Sequence, residues 1–179
     1  MESQDLTQAS AKNGLIVGLV GIIATYVLYL IGTDALLGAP SFAIWAIMLG
    51  LIAYFATQAK QMNGGYFTFG EAFKHTFIIA MVSAVVGAVF TYILYNFLAP
   101  ELSDEVKRIT IERTEEMMES FGGGGEAMDA AMEQLENEDY SMTIGKILLQ
   151  IVYAAVGYGI YSSIVAAIIK KKEPEEFLK

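Results

Sequence analysis

The chain has 179 residues, with 20 acidic against 11 basic side chains, a net charge of −9, 55% apolar residues and mean hydropathy of +0.48. That composition excludes an ordinary soluble domain and a basic nucleic-acid footprint. The lack of cysteine excludes disulfides and thiolate chemistry.

The apolar residues fall in blocks: residues 13–33, 35–59, 76–100 and 147–169 contain no Asp, Glu, Lys, Arg or His. A hydrocarbon core about 30 Å thick needs roughly 20 helical residues to cross it. Barrel strands would instead alternate over about ten residues each. The pattern predicts an all-α polytopic membrane protein, one membrane domain over 1–179 with four transmembrane helices near 13–33, 40–58, 75–99 and 145–169. Residues 100–143 hold 13 acids against Lys107, Arg108 and Arg113, a net −10, while the remainder has 7 acids and 8 bases. This stretch reads as an extramembrane acidic helical hairpin between helices 3 and 4.

In chain order, residues 1–12 are polar and read as a frayed terminus. The apolar run that follows exceeds a signal-peptide core of about 7 to 15 residues, so it reads as a retained span. Gly14-Leu-Ile-Val-Gly18 is a GxxxG spacing, which lets two helix backbones approach closely. Pro40 suits the first turn of the second helix. Trp45 and Tyr54 near its two ends fit interfacial aromatic belts, and Gly50 belongs to a small-residue face.

Residues 58–75 read as a glycine turn followed by an interfacial segment rich in aromatics and lysine. Phe69, Gly70, Glu71, Lys74 and His75 are its candidate functional residues. In the third span, Ala84 and Gly87 are candidates for helix packing. In the acidic insert, Ser103 is the expected N-cap, with Asp104 and Glu105 in a favourable first turn. Asp104–Arg108 and Arg108–Glu112 are expected i,i+4 pairs. Leu102, Val106, Ile109, Met117 and Phe121 form a broken apolar stripe. Gly122 to Gly125 stop the helix, and a second helix restarts with Met128, Ala131, Met132 and Leu135 on one face. The expected product stands off the membrane. In the last span, Ala155, Gly159, Ser163 and Ala167 repeat every four residues as a packing seam.

Basic residues near span ends set orientation. Lys12, Lys60, Lys74, Lys170, Lys171, Lys172 and Lys179 lie on one side, against Lys107, Arg108, Arg113 and Lys146 on the other. Seven against four places both termini in the cytoplasm and the acidic hairpin outside.

Three stretches carry a resemblance: Asn13-Gly-Leu-Ile-Val-Gly18, the connector Phe67-Thr-Phe-Gly-Glu-Ala-Phe-Lys74, and the Pro100-Glu-Leu102 exit into the charged insert. With them the chain resembles the uncharacterised bacterial four-span family catalogued as domain of unknown function 4199. The resemblance implies a membrane location and four helices and says nothing of activity, cofactor or catalytic residue; the expected location is the bacterial inner (cytoplasmic) membrane.

No P-loop, Rossmann, HExxH or GxSxG pattern is present, and nothing matches EF-hand ligand spacing. His75 and Glu71 would share a helical face if the helix begins early, but a metal site would need further ligands to converge. The spans carry none of the buried ionisable groups that mark coupled ion pathways. The reading is of a non-enzyme, an enzyme standing a distant third for want of candidate nucleophiles and bases, and it assigns no catalytic residue, cofactor or metal. It favours a non-enzymatic membrane scaffold or interaction protein using the acidic hairpin. The alternative is an oligomeric small-solute channel or transporter. The expected partners are the lipid bilayer, a protein at the hairpin and a second copy of the chain, with no nucleic acid.

Overall fold

The computed structural model describes residues 3–120, 122 and 125–172. Helix α1 runs Ser3–Ile31, α2 Thr33–Leu37, α3 Ala39–Met62, α4 Phe69–Ile93, α5 Leu102–Ser120, α6 Glu126–Asn137 and α7 Ile144–Ile169. A π-helical turn, Leu94–Leu98, extends α4. Among the described residues the one β-type pairing is an isolated antiparallel bridge between Phe67 and Lys171.

Four helical stretches, Gln4–Ile31, Ala39–Met62, Phe69–Leu98 and Ile144–Ile169, are long and apolar enough to cross a membrane. Two begin earlier than their composition predicts. Residues 3–12 are no frayed terminus, because helix α1 begins at Ser3 and buries Leu6 and Ser10, while residues 1–2 lie outside the described residues. Helix α4 begins at Phe69 rather than near 75, because Thr68 and Glu71 form a capping box. The polar connector is thereby only six residues long, 63–68, and has no separate interfacial helix.

Helix α4 is the centre of the bundle, packed between α1 and α7, with α3 laid across α1 and α4. The mid-bundle core is Val17, Ile52, Ala56, Ile79, Ala80 and Val165. The contact between α1 and α4 is close because Gly14 and Gly18 carry no side chain. A Cβ on Gly14 would stand 2.7 Å from Val82 Cβ and 2.8 Å from the Ile79 carbonyl oxygen. Large apolar side chains such as Ile23, Leu30, Phe42, Ile160 and Ile168 point outward, each more than 60% exposed. An outer surface this apolar departs from the dispersed pattern of water-soluble proteins.

Helix α5 begins at Leu102, so Ser103 lies inside it and Glu101 supplies the carbonyl that accepts from Asp104 and Glu105. Arg108 pairs with Glu112 at 3.1 Å, and no Asp104–Arg108 pair forms among the described residues. Phe121, Gly123, Gly124 and the side chain of Met128 lie outside the described residues. The expectation that the insert stands free is wrong for its base. Leu102 and Ile109 are buried, and Leu102 packs in one cluster with Leu94 and Ala99, beside Tyr29 and Leu36.

Candidate functional site

Three places along the bundle carry polar organisation: the connector end, a cleft between the helices, and the insert end. At the connector end, Gly64 and Gly65 have φ of +77° and +84°. Only glycine adopts that region without strain, so the chain reverses there within a few residues. Asn63 Nδ2 donates to the Tyr66 carbonyl at 3.0 Å. Thr68 then starts α4: its Oγ1 accepts from Glu71 N–H at 3.3 Å, and Glu71 Oε2 accepts from Thr68 N–H at 2.7 Å.

That start turns His75 inward, where it is 3% exposed. Its ring stacks on Phe67 with centroids 5.2 Å apart and planes 8° from parallel. His75 Nδ1 lies 2.8 Å from Ser10 Oγ, and the Ser10 hydroxyl donates to Leu6 O at 3.0 Å. A serine has one hydrogen to give, so Ser10 keeps its bond to Leu6 O only in the tautomer whose Nδ1 carries the proton. Phe67 is tied by its backbone as well: Phe67 N–H donates to Lys171 O at 2.9 Å, and Lys171 N–H donates to Phe67 O at 2.8 Å. Lys60 Nζ donates to Ile169 O at 2.7 Å. One corner thus holds α1, α3, α4, the connector and the end of α7.

Of the predicted connector residues, only His75 is part of this corner's interior. Phe69, Gly70, Glu71 and Lys74 are exposed, and Glu71 is the capping residue. The residues that sequence reasoning passed over are Ser10, Phe67 as an interior side chain, and Lys171 as a backbone partner. The signal for the helix start was present in Thr68-x-x-Glu71, a capping-box spacing. Nothing local announces a contact between residues 67 and 171.

Between α1, α3, α4 and α7 lies a cleft of about 710 Å³. Its room comes from small residues, among them Gly21, Ala84, Gly87 and Gly157, and Tyr161 Oη closes one part by donating to Leu49 O at 2.5 Å. Thr25, Ser41, Gln150 and Tyr153 bring polar atoms to it, and no Asp, Glu, Lys, Arg or His lines it. Such an uncharged lining suits a neutral molecule. Among the described residues no group of three or more His, Asp or Glu is placed to hold a metal ion.

The packing candidates divide accordingly. Gly14 and Gly18 meet Val82 and Val86 of α4. Ala84 and Gly87 face the cleft. Gly50, Gly87 and Gly159 have open space where a Cβ would stand, so they are not close-approach positions. The Ala155, Gly159, Ser163, Ala167 repeat is not the buried side of α7. Ser162, Val165 and Ala166 are buried, Ala167 is exposed, and Ser163 Oγ merely donates to Gly159 O at 2.9 Å.

At the insert end, Arg113 fastens α5 to the C-terminal turn of α2. Its Nη1 donates to Leu37 O at 3.0 Å, and its Nη2 reaches Asp34 Oδ1 at 2.8 Å and Asp34 O at 3.3 Å. The Thr33 hydroxyl donates to the Glu105 carboxylate, and Tyr29 Oη donates to Glu101 at 3.4 Å. Where the chain returns to α7, Asp139 accepts from the Ser141 hydroxyl at 2.8 Å, Ser141 N–H at 2.9 Å and Lys146 Nζ at 3.2 Å. These donors, Ser141 first, hold its carboxyl at about 2, below the ordinary 3.8. A depressed value means that ionised Asp139 steadies this turn above pH 3.8, and that the contribution is lost as pH falls through about 2. A carboxyl-carbon NMR titration is expected to place the Asp139 midpoint clearly below that of a free aspartate; a midpoint at the ordinary value would mean the turn does not form.

The family described as "Protein of unknown function (DUF4199)" matches residues 12–171. No curated protein and no solved structure matches.

Proposed function

The chain belongs to the DUF4199 family, and from that premise we propose that it is a non-enzymatic integral membrane protein of the bacterial inner membrane that scaffolds a partner through its acidic insert. The carrying observation is the Arg113 attachment of α5 to α2. An acidic face fixed to a four-helix bundle is presented in one orientation, so a partner does not have to meet the full ordering cost of a swinging arm. Glu112, Glu115, Glu116 and Glu119 are exposed along α5, so the partner's chemistry is cationic and its capture weakens with salt.

Full-length chain in membranes is expected to co-purify with a cationic partner. Glu115→Gln/Glu116→Gln/Glu119→Gln should lose that partner with the bundle intact. Capture unchanged by the triple substitution would count against the reading. The same reading sets both termini in the cytoplasm and the insert outside. Because the chain has no cysteine, single cysteines at the exposed positions Gln61 and Glu119 can be tested in intact cells with an impermeant maleimide. Labelling only at Glu119→Cys is expected, and labelling only at Gln61→Cys would invert the topology.

A second reading, small-solute passage through an oligomer, draws on the uncharged cleft. Liposome flux that Gly157→Phe blocks would favour it over the scaffold.

A further inference from the structure

We propose that the connector end of the bundle is a seat for the phosphate headgroups of anionic membrane lipids, formed by Lys60, Lys74, Lys170, Lys171 and Lys172. The proposal rests on the reading that the four apolar helices span a bilayer.

Lys170, Lys171 and Lys172 are consecutive in the chain, and the fold brings the connector and Lys60 to them. The backbone pairing of Phe67 with Lys171, at 2.9 and 2.8 Å, carries the end of α7 across the connector. Lys60 Nζ hydrogen-bonds Ile169 O at 2.7 Å, which sets the last turn of α3 beside residues 170–172. The Lys171 ammonium lies 5.2 Å from the Tyr66 ring centroid. Lys74 projects from the second turn of α4, and Lys74, Lys170 and Lys172 are exposed with no ion-pair partner among the described residues. Glu71, the carboxylate at the start of α4, is already taken by the Thr68 N–H and hydroxyl at 2.7 and 2.8 Å. It makes no ion pair with a lysine among the described residues, and its single negative charge is outnumbered by the five ammonium groups.

The rest of the rim selects a lipid over a free anion. Met62 and Phe69 are each 46% exposed there, and apolar and aromatic side chains beside lysine are what the headgroup boundary accommodates. Flexible lysine stems with three donors each suit a mobile headgroup phosphate better than a caged ion. The opposite end carries the insert with net −10, which repels an anionic surface. Attraction is thereby confined to one end of the molecule, and it falls off within a Debye length.

The test uses the full chain. Reconstitution followed by an alkaline wash and flotation establishes insertion. Titration of the detergent-solubilised protein with phosphatidylglycerol or phosphatidylcholine, read by native mass spectrometry, then compares affinities. Phosphatidylglycerol is expected to bind more tightly, with the preference falling about fivefold per lysine removed in Lys74→Gln/Lys170→Gln/Lys172→Gln. It should also shrink as salt is added, and Lys107→Gln at the far end should leave it unchanged. A protein that fails to float with the vesicles overturns the membrane reading and this proposal with it. A protein that floats but binds both lipids equally, or keeps its preference in the triple variant, overturns the headgroup seat alone. Displacement of phosphatidylglycerol by millimolar inorganic phosphate would reassign the corner to a free anion and overturn the lipid assignment.

Discussion

Gly14→Val and Gly18→Val are each expected to destabilise the bundle strongly, whereas Gly50→Ala, Gly87→Ala and Gly159→Ala are expected to be neutral or stabilising. At Gly14 a new Cβ would meet Val82 Cβ at 2.7 Å and the Ile79 carbonyl oxygen at 2.8 Å; at Gly18 it would meet Val86 Cβ at 2.7 Å. The Ile79 oxygen belongs to the α4 backbone and has no rotamer to escape into. Helices α1 and α4 would have to separate along the most extensive interface in the molecule. Overpacking of a filled contact typically costs about 1–3 kcal/mol, and separation adds the loss of neighbouring contacts on both helices. The other three glycines face open space, so alanine there meets no neighbour and gains up to about 1 kcal/mol of helix propensity. Thermal unfolding of the monodisperse protein in one detergent compares the two sets directly. Equal losses in both would mean that α1 and α4 do not approach at Gly14 and Gly18.

The contrast between these two sets also marks what can be read from one-dimensional spacing. Four helices were legible from uninterrupted apolar runs, and the two charged helices of the insert from their periodicity and the glycines between them. Spacing of small residues was a weaker guide. Gly14 and Gly18 meet another helix, while Gly87 and Gly157 leave the room of a cleft. A missing side chain permits either outcome, and the choice depends on where the partner helix crosses, which is a property of the whole bundle. The insert failed for a related reason. Its apolar stripe looks free until Leu102 and Ile109 are seen buried at the end of the bundle and Arg113 is seen holding the carbonyls of α2. The start of α4 is a different case. Thr68-x-x-Glu71 was available as a local signal, and its effect is to extend the helix into polar sequence that hydropathy assigns to a connector.

Phe67 and Phe69 lie two residues apart in the same aromatic stretch, and their substitution should have opposite consequences. Phe67→Ala is expected to cost about 3–5 kcal/mol, the usual loss for emptying a buried aromatic site, because Phe67 is 1% exposed. Part of that loss is the ring stack on His75, 5.2 Å between centroids, and stacking of this kind adds about 0.5–1.5 kcal/mol beyond area burial. Phe69 is 46% exposed, so Phe69→Ala should stay within about 0.5 kcal/mol. The loss at Phe67 should also appear far away in sequence. Lys171 N–H is bonded to Phe67 O, so Phe67→Ala should speed hydrogen exchange at Lys171, while Phe69→Ala should not. Buried rings hold their own backbone in place, and at this corner that backbone is what the end of α7 pairs with. If Lys171 exchanges at the same rate in both variants, the pairing is carried by Lys60 and the end of α3 instead, and the stacked ring is only filling space.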